Sequence, residues 1–250
     1  MGGGFSFRCE SGFSLLPTLG RSFLLRVMDP SLDELPIHVI DFEGGPQCGI
    51  VEFGVVTLKG FSIVETSTRL CKPKAAISRK EEAVHGIGNA CVKGVAPFAD
   101  EWDRFASMRE RGPLAAHFAS AENSMLKAVF PYPRMSNNWI QSAGKTAEWG
   151  PWLDTGIMYR NHGDDGSSLK LEDLVSRWGL QRELDELAVK YCPSGRQRYH
   201  CALYDALASA LLFLHYCAEL SDVAPTLLQL VAESQGSAAK RQGVEQQNLF

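Results

Sequence analysis

The run from Cys201 to Tyr216 constrains this chain more than any other segment. It is apolar nearly throughout, with Asp205 close to its start. A helix that is hydrophobic all round belongs in a core, so the remaining elements must wrap it. An acid inside such a helix is costly unless its charge is compensated, and a bound metal ion is one compensation. His200 stands just ahead of the run. On one helix, His200 and Asp205 would lie about 140° apart. That offset suits a histidine on the entering loop and an aspartate one turn inside, in two different roles.

A second costly placement lies upstream. From Ile37 to Glu43 apolar and polar residues alternate, so Ile37, Val39, Asp41 and Glu43 share one face of a strand. That face begins apolar and ends in two carboxylates, spaced so that both can bind one hard cation through oxygen. Read alone, Asp41 and Glu43 fit better an ordinary strand end whose acids point into water, because acidic residues are mostly exposed.

The intervening chain supplies the rest of a sheet. Gly44-Gly45-Pro46 breaks the first strand, Gln47–Leu58 reads as a second, and Phe61–Leu70, after Gly60, as a third. A polar helix from Ser78 stops at His85-Gly86-Ile87-Gly88. Pro97–Arg111 reads as an amphipathic helix, Leu114–Phe118 as a short buried strand and Ala121–Phe130 as a helix. Pro131–Gly150 reads as a loop, where Trp139 and Trp149, with Trp152 beside them, are expected to cap the core. Trp152–Thr155 forms another short strand, and helices follow over Leu169–Leu180, Arg182–Tyr191, His200–Glu219 and Val223–Ser234. Three antiparallel strands followed by strands alternating with helices predict a mixed α/β sheet.

Composition sets outer bounds. With 250 residues, 45% of them hydrophobic, the chain can bury a full core. The expected organisation is one domain over 36–234, an N-terminal extension over 1–35 that is disordered or follows from a start placed ahead of Met28, and a flexible tail over 235–250. A net charge of −4 argues against gripping nucleic acid through a broadly basic surface. It leaves room for local contacts and for a cation that offsets phosphate charge. Seven cysteines, an odd number with no Cys-x-x-Cys pair, read as reduced thiols of a cytoplasmic protein. No apolar run approaches the roughly 20 residues of a membrane helix, and the N-terminus lacks a clean signal-peptide core.

Taken together, the two acid-bearing stretches resemble the motifs of the DEDDh, or DnaQ-like, branch of the DEDD 3′→5′ exonucleases. Asp41-Phe42-Glu43 is similar to the first motif, and Ile50-Val51-Glu52-Phe53-Gly54-Val55-Val56 is similar to the family's second strand. His200 to Asp205, continued by Ala206-Leu207-Ala208, is similar to the last motif. Landmarks between them keep the family's order: His85-Gly86-Ile87, Pro97-Phe98, Asp154-Thr155 and Leu171-Glu172-Asp173-Leu174. The resemblance runs from Ile37 to Tyr216 and departs in one place. Where the family's second motif reads His-Asn-x-x-Phe-Asp, this chain has His117-Phe118-Ala119-Ser120-Ala121-Glu122, so Glu122 stands for an aspartate and Phe118 for an asparagine.

The resemblance implies an RNase H-like fold: a central five-stranded mixed sheet, three strands antiparallel and two parallel, with helices on both faces. It implies two Mg²⁺ or Mn²⁺ ions held by Asp41, Glu43, Glu122 and Asp205, clamping the scissile phosphate. His200, unligated, is the implied general base, since an imidazole ordinarily titrates near neutrality. The implied substrate is a single-stranded or 3′-end DNA, or an RNA, degraded to 5′-mononucleotides. A third possibility is a catalytically weakened binding module, because Glu122 is one methylene longer than aspartate. Gln246-Gln247-Asn248-Leu249-Phe250 resembles the peptide by which bacterial proteins bind the sliding clamp, with Gln246, Leu249 and Phe250 as the contact residues.

Overall fold

The structure, a computed structural model, describes residues 5–8, 30–60, 62–139, 144–163, 168–220 and 225–246. Its centre is a mixed sheet. Strands β2 (Ile37–Gly45), β3 (Gly49–Lys59) and β4 (Ser62–Leu70) form the antiparallel meander, and β5 (Leu114–Ala116) and β8 (Trp152–Asp154) add in parallel beyond β2. These are the five strands expected. A sixth, β1 (Phe5–Arg8), pairs antiparallel with β4 at the opposite edge, giving the order β1-β4-β3-β2-β5-β8. Part of the N-terminal extension thus joins the sheet. Helix α1 (Pro30–Glu34) also precedes residue 36, and its Leu32 is fully buried.

Side-chain alternation sorts β2 and β3 onto two cores. Ile37 and Val39, paired across the ladder with Leu58 and Val56, face the long helix α8 (Ala202–His215). Every residue of α8 is buried, as its apolar circumference requires. Ile40, Phe42 and Phe53 point the other way. There Phe98 and Phe105 meet Phe42 and Phe53 at ring separations of 5.3 to 5.9 Å, edge-on or tilted. Phe98 opens a short 3₁₀ turn (Phe98–Glu101), and Phe105 lies on α3 (Trp102–Arg111). Helices therefore cover both faces.

The remaining elements follow the expected order with adjusted ends. Helix α2 (Arg79–His85) begins on a capping box in which Ser78 and Glu81 satisfy each other's backbone N–H, and stops at Gly86 with φ 71°. The fifth strand stops at Ala116 rather than Phe118, because the chain turns there into α4 (Ser120–Lys127). Helices α5 (Thr155–Asn161), α6 (Leu171–Arg177) and α7 (Gln181–Tyr191) pack around α8, and α9 (Leu227–Glu233) starts at Thr226, which caps it. Inside the Pro131–Gly150 loop, Ser136–Asn137 (β6) pairs with Lys145–Thr146 (β7). Trp149 is fully buried there and donates to Phe130 O at 2.8 Å. The loop hangs on Arg109, a fully buried guanidinium that donates to the carbonyls of Asn137, Glu148 and Gly150. The region expected as a flexible tail contains helix α10 (Ala238–Gln246), with Val244 packed on the main core.

Candidate active site

The site forms where the apolar row of β2 runs out. Beyond Val39 the same face carries Asp41 and Glu43, opposite Gly54 and Glu52 of β3. Gly54 decides how close α8 can come. A Cβ on Gly54 would lie 2.2 Å from the Ala202 carbonyl carbon and 2.3 Å from the Leu203 nitrogen. Only a bare Cα lets the helix N-terminus rest on the sheet here, and that seat brings Asp205 beside Asp41 and Glu43.

Asp205 lies in the first turn of α8 and His200 outside it, as their spacing implied. His200 adopts φ 60°, the left-handed region that a residue with a Cβ rarely enters. Its backbone N–H donates to Asp205 Oδ2 at 3.0 Å, and its side chain is exposed. Ligand atoms of Glu43, His200 and Asp205 all lie within 4.8 Å of one another.

Glu122 arrives from a third direction. It sits in the first turn of α4 and is 7% exposed. An N–H donated by Phe42, between the two acids of β2, helps to hold its charge. The turn that delivers α4 is strained: Phe118 has φ 58°. Asp154 holds that turn by accepting the N–H groups of Phe118 at 3.0 Å and Ala119 at 2.9 Å, while also capping α5 through Ile157 N. His117 lines the cleft beside Phe118, with both ring nitrogens engaged, Nδ1 with Thr155 Oγ1 and Nε2 with Leu169 O. Asp154 and His85 have structural partners here, His85 accepting from Ile87 N at 3.0 Å.

The electrostatics are those of crowded like charges. Burial, reinforced by Asp205 and Glu52, raises the Glu43 carboxyl to about 8. Burial raises Glu122 to about 8 and Asp205 to about 7. Asp41, half-buried, is pushed well above the ordinary carboxylate range by desolvation and by its four acidic neighbours, Asp205, Glu122, Glu43 and Glu52. Among the described residues, Glu122 Oε2 and Asp205 Oδ1 are buried without a hydrogen-bond partner. Buried carboxylate oxygens left open in this way fit a hard divalent cation, whose charge would also relieve the repulsion. A cleft of about 380 Å³ opens alongside, lined among others by Phe118, Lys170, Tyr199, His200 and Asp205. Its volume is of the size that takes a small molecule or a nucleotide unit.

All five residues expected in the site are thus brought to one end of the sheet. Leu249 and Phe250 lie outside the described residues, and Gln246 ends α10, so the clamp-peptide reading rests on the sequence. Glu52, Gly54 and Arg196 were not expected to matter. For Glu52 a signal existed: it is the one acid of its strand, set within the otherwise apolar run 50–56.

No family model matches the chain. It is 26% identical over 204 residues to the PolC-type DNA polymerase III of Thermotoga maritima and 24% identical over 204 residues to that of Thermotoga petrophila. The match takes in 80% of this chain and spans 13% of the length of either polymerase. Among solved structures, Exonuclease X in complex with a 5′-overhanging DNA duplex superposes with a TM-score of 0.55 at 23% identity, over 80% of this chain and 99% of that one. Cell-death related nuclease 4 gives 0.53 at 11% identity, over 85% and 77% of the two chains. The chain has the RNase H-like fold of the DEDD exonucleases and resembles their DnaQ-like branch in sequence.

Proposed function

We propose that this protein is a metal-dependent 3′→5′ exonuclease that releases 5′-mononucleotides from DNA ends. The observation that carries the reading is the meeting of Asp41 and Glu43 from β2, Glu122 from α4 and Asp205 from α8, two of them with buried, open oxygens, beside an exposed His200. Asp41, Glu43, Glu122 and Asp205 would hold two Mg²⁺ or Mn²⁺ ions. Bound there, such ions would lower the pKa of water and offset the charge of the phosphodiester. His200 accepts the proton of the attacking water: its imidazole borders Glu43 and Asp205 yet reaches solvent, so it can pass the proton on. Asp205 has a second task, since its Oδ2 fixes the His200 backbone. Phe118, Lys170 and Tyr199 border the cleft, offering ring faces to bases and a cation to phosphate.

DNA is preferred over RNA as substrate because the relatives matched in sequence are DNA polymerases and Exonuclease X was captured on DNA. Attachment to a sliding clamp through the C-terminal peptide is an accessory part of this reading, supported by the Gln246–Phe250 pattern alone. The test is degradation of matched 3′-labelled DNA and RNA oligonucleotides with Mg²⁺, Mn²⁺ or EDTA. Wild type should shorten DNA from the 3′ end in a metal-dependent way, and His200→Ala and Asp41→Ala should lose that activity. Undiminished activity in either variant refutes the assignment.

A further inference from the structure

Glu52 differs from the other acids around it. It is 3% exposed, faces Glu43 directly across the ladder, and has both carboxylate oxygens engaged. Oε1 accepts from Arg196 Nε at 3.0 Å. Oε2 takes the second arm of the Arg196 fork and the Ala202 N–H, the latter at 2.9 Å. The remaining arm of Arg196, Nη1, donates to His85 O at 2.6 Å. One guanidinium therefore joins β3, the C-terminal end of α2 and the segment leading into α8. The fork is the arrangement that gives an arginine–carboxylate pair its directional strength.

What this junction holds is the Ala202 N–H, two residues beyond His200. Helix α8 has no side-chain cap at Cys201, which leaves its first N–H groups in need of acceptors. Ala202 N–H finds Glu52, and His200 N–H finds Asp205. The left-handed φ of His200 is thus pinned from both sides, by a candidate metal ligand within the helix and by Glu52 from the sheet. Such a conformation persists only where its surroundings over-determine it.

We propose that Glu52 and Arg196 are a positioning pair that fixes the His200–Ala202 backbone against β3 and so aims the His200 side chain. Glu52 is not itself a ligand: its oxygens are taken up by Arg196 and Ala202, whereas those of Glu122 and Asp205 include open ones. The role for turnover rests on the nuclease reading; the role in holding the backbone does not.

The experiment uses the full chain with Glu52→Gln and Arg196→Lys, and reads three quantities. The first is kcat and KM on a 3′-labelled single-stranded DNA with Mn²⁺. The second is Mn²⁺ affinity by titration. The third is hydrogen exchange of the peptides covering 196–204. For Glu52→Gln the expected result is a loss of kcat of about 100-fold, the scale of a 1 Å misplacement. KM and Mn²⁺ affinity should stay within about threefold, and exchange over 196–204 should quicken at least about tenfold while that of β2 does not, a local opening rather than global unfolding. Arg196→Lys keeps the charge without the fork and should show both losses to a smaller extent. Unchanged kcat and exchange in both variants overturn the proposal. Loss of Mn²⁺ affinity in parallel with kcat also overturns it, by making Glu52 a ligand. If Glu52→Gln does not fold, Arg196→Lys decides: wild-type kcat and exchange refute the pair. If the wild-type chain degrades no nucleic acid, the nuclease reading fails, and the exchange of 196–204 alone decides whether the pair holds that backbone.

Discussion

Replacing Gly54 by alanine probes the whole design with a single methyl group. Gly54 has ordinary strand geometry, so the substitution brings no backbone strain, only bulk. The new Cβ would stand 2.2 Å from the Ala202 carbonyl carbon and oxygen. Ordinary van der Waals contact begins near 3.4 Å, so the N-terminus of α8 must retreat by about 1.2 Å. Neither partner can yield by rotating a side chain, because the obstacle is the backbone of a buried helix. Overpacking of this kind costs about 1–3 kcal/mol of stability. The larger effect falls on the site, because Asp205 and His200 move with α8 while Asp41 and Glu43 stay on the sheet. A displacement near 1 Å lowers a positioning-dependent rate by about 100-fold, which is about 2.7 kcal/mol of barrier. The assay is kcat on a 3′-labelled DNA with Mn²⁺, alongside a urea denaturation curve. Full activity in a stable Gly54→Ala protein would refute the claim that close approach of α8 to β3 assembles the site.

The same geometry makes two further outcomes testable. Glu43 and Glu122 are raised to about 8 and Asp205 to about 7, above the 3.8 to 4.5 of the unfolded chain. A carboxyl group held above its unfolded value contributes stability below that value and loses it as pH rises through the folded one. In metal-free buffer Tm should therefore fall by roughly 10 °C between about pH 5 and about pH 8.5. Mn²⁺ should restore most of this at the upper pH and little at the lower; a flat metal-free profile by scanning calorimetry would contradict the crowded-acid account. Asp154→Ala strips the N–H groups of Phe118, Ala119 and Ile157 of their acceptor. It should cost about 3 kcal/mol in urea denaturation and also lower kcat, because the turn it holds delivers Glu122; a loss under about 0.5 kcal/mol would show that the turn holds itself.

Much of this molecule was legible from local rules. Period-two alternation placed Asp41 and Glu43 on one strand face, and the angular offset of His200 from Asp205 separated a loop residue from a helical one. The all-apolar run after Cys201 announced a buried central helix, and every residue of α8 is buried. These readings work because repeat period and burial are written into neighbouring residues. The tail shows the limit of such rules: residues 235–247 are polar enough to look like a linker, and Ala238–Gln246 forms a helix whose Val244 packs on a core distant in sequence.

What the sequence determined by itself, then, is which residues are chemically expensive and which elements carry them. What only the tertiary structure decided is that those costs cancel at a single point. Glu122 reaches β2 because a strained turn at Phe118 is held by an aspartate 36 residues further on. Glu52 can be buried beside three other acids because Arg196, 144 residues away, compensates its charge and leaves it to tether the Ala202 backbone. Gly54 acquires its meaning only from the helix backbone that lies against it. Contacts between residues so far apart leave no period to read, and each exists only once distant elements have packed together.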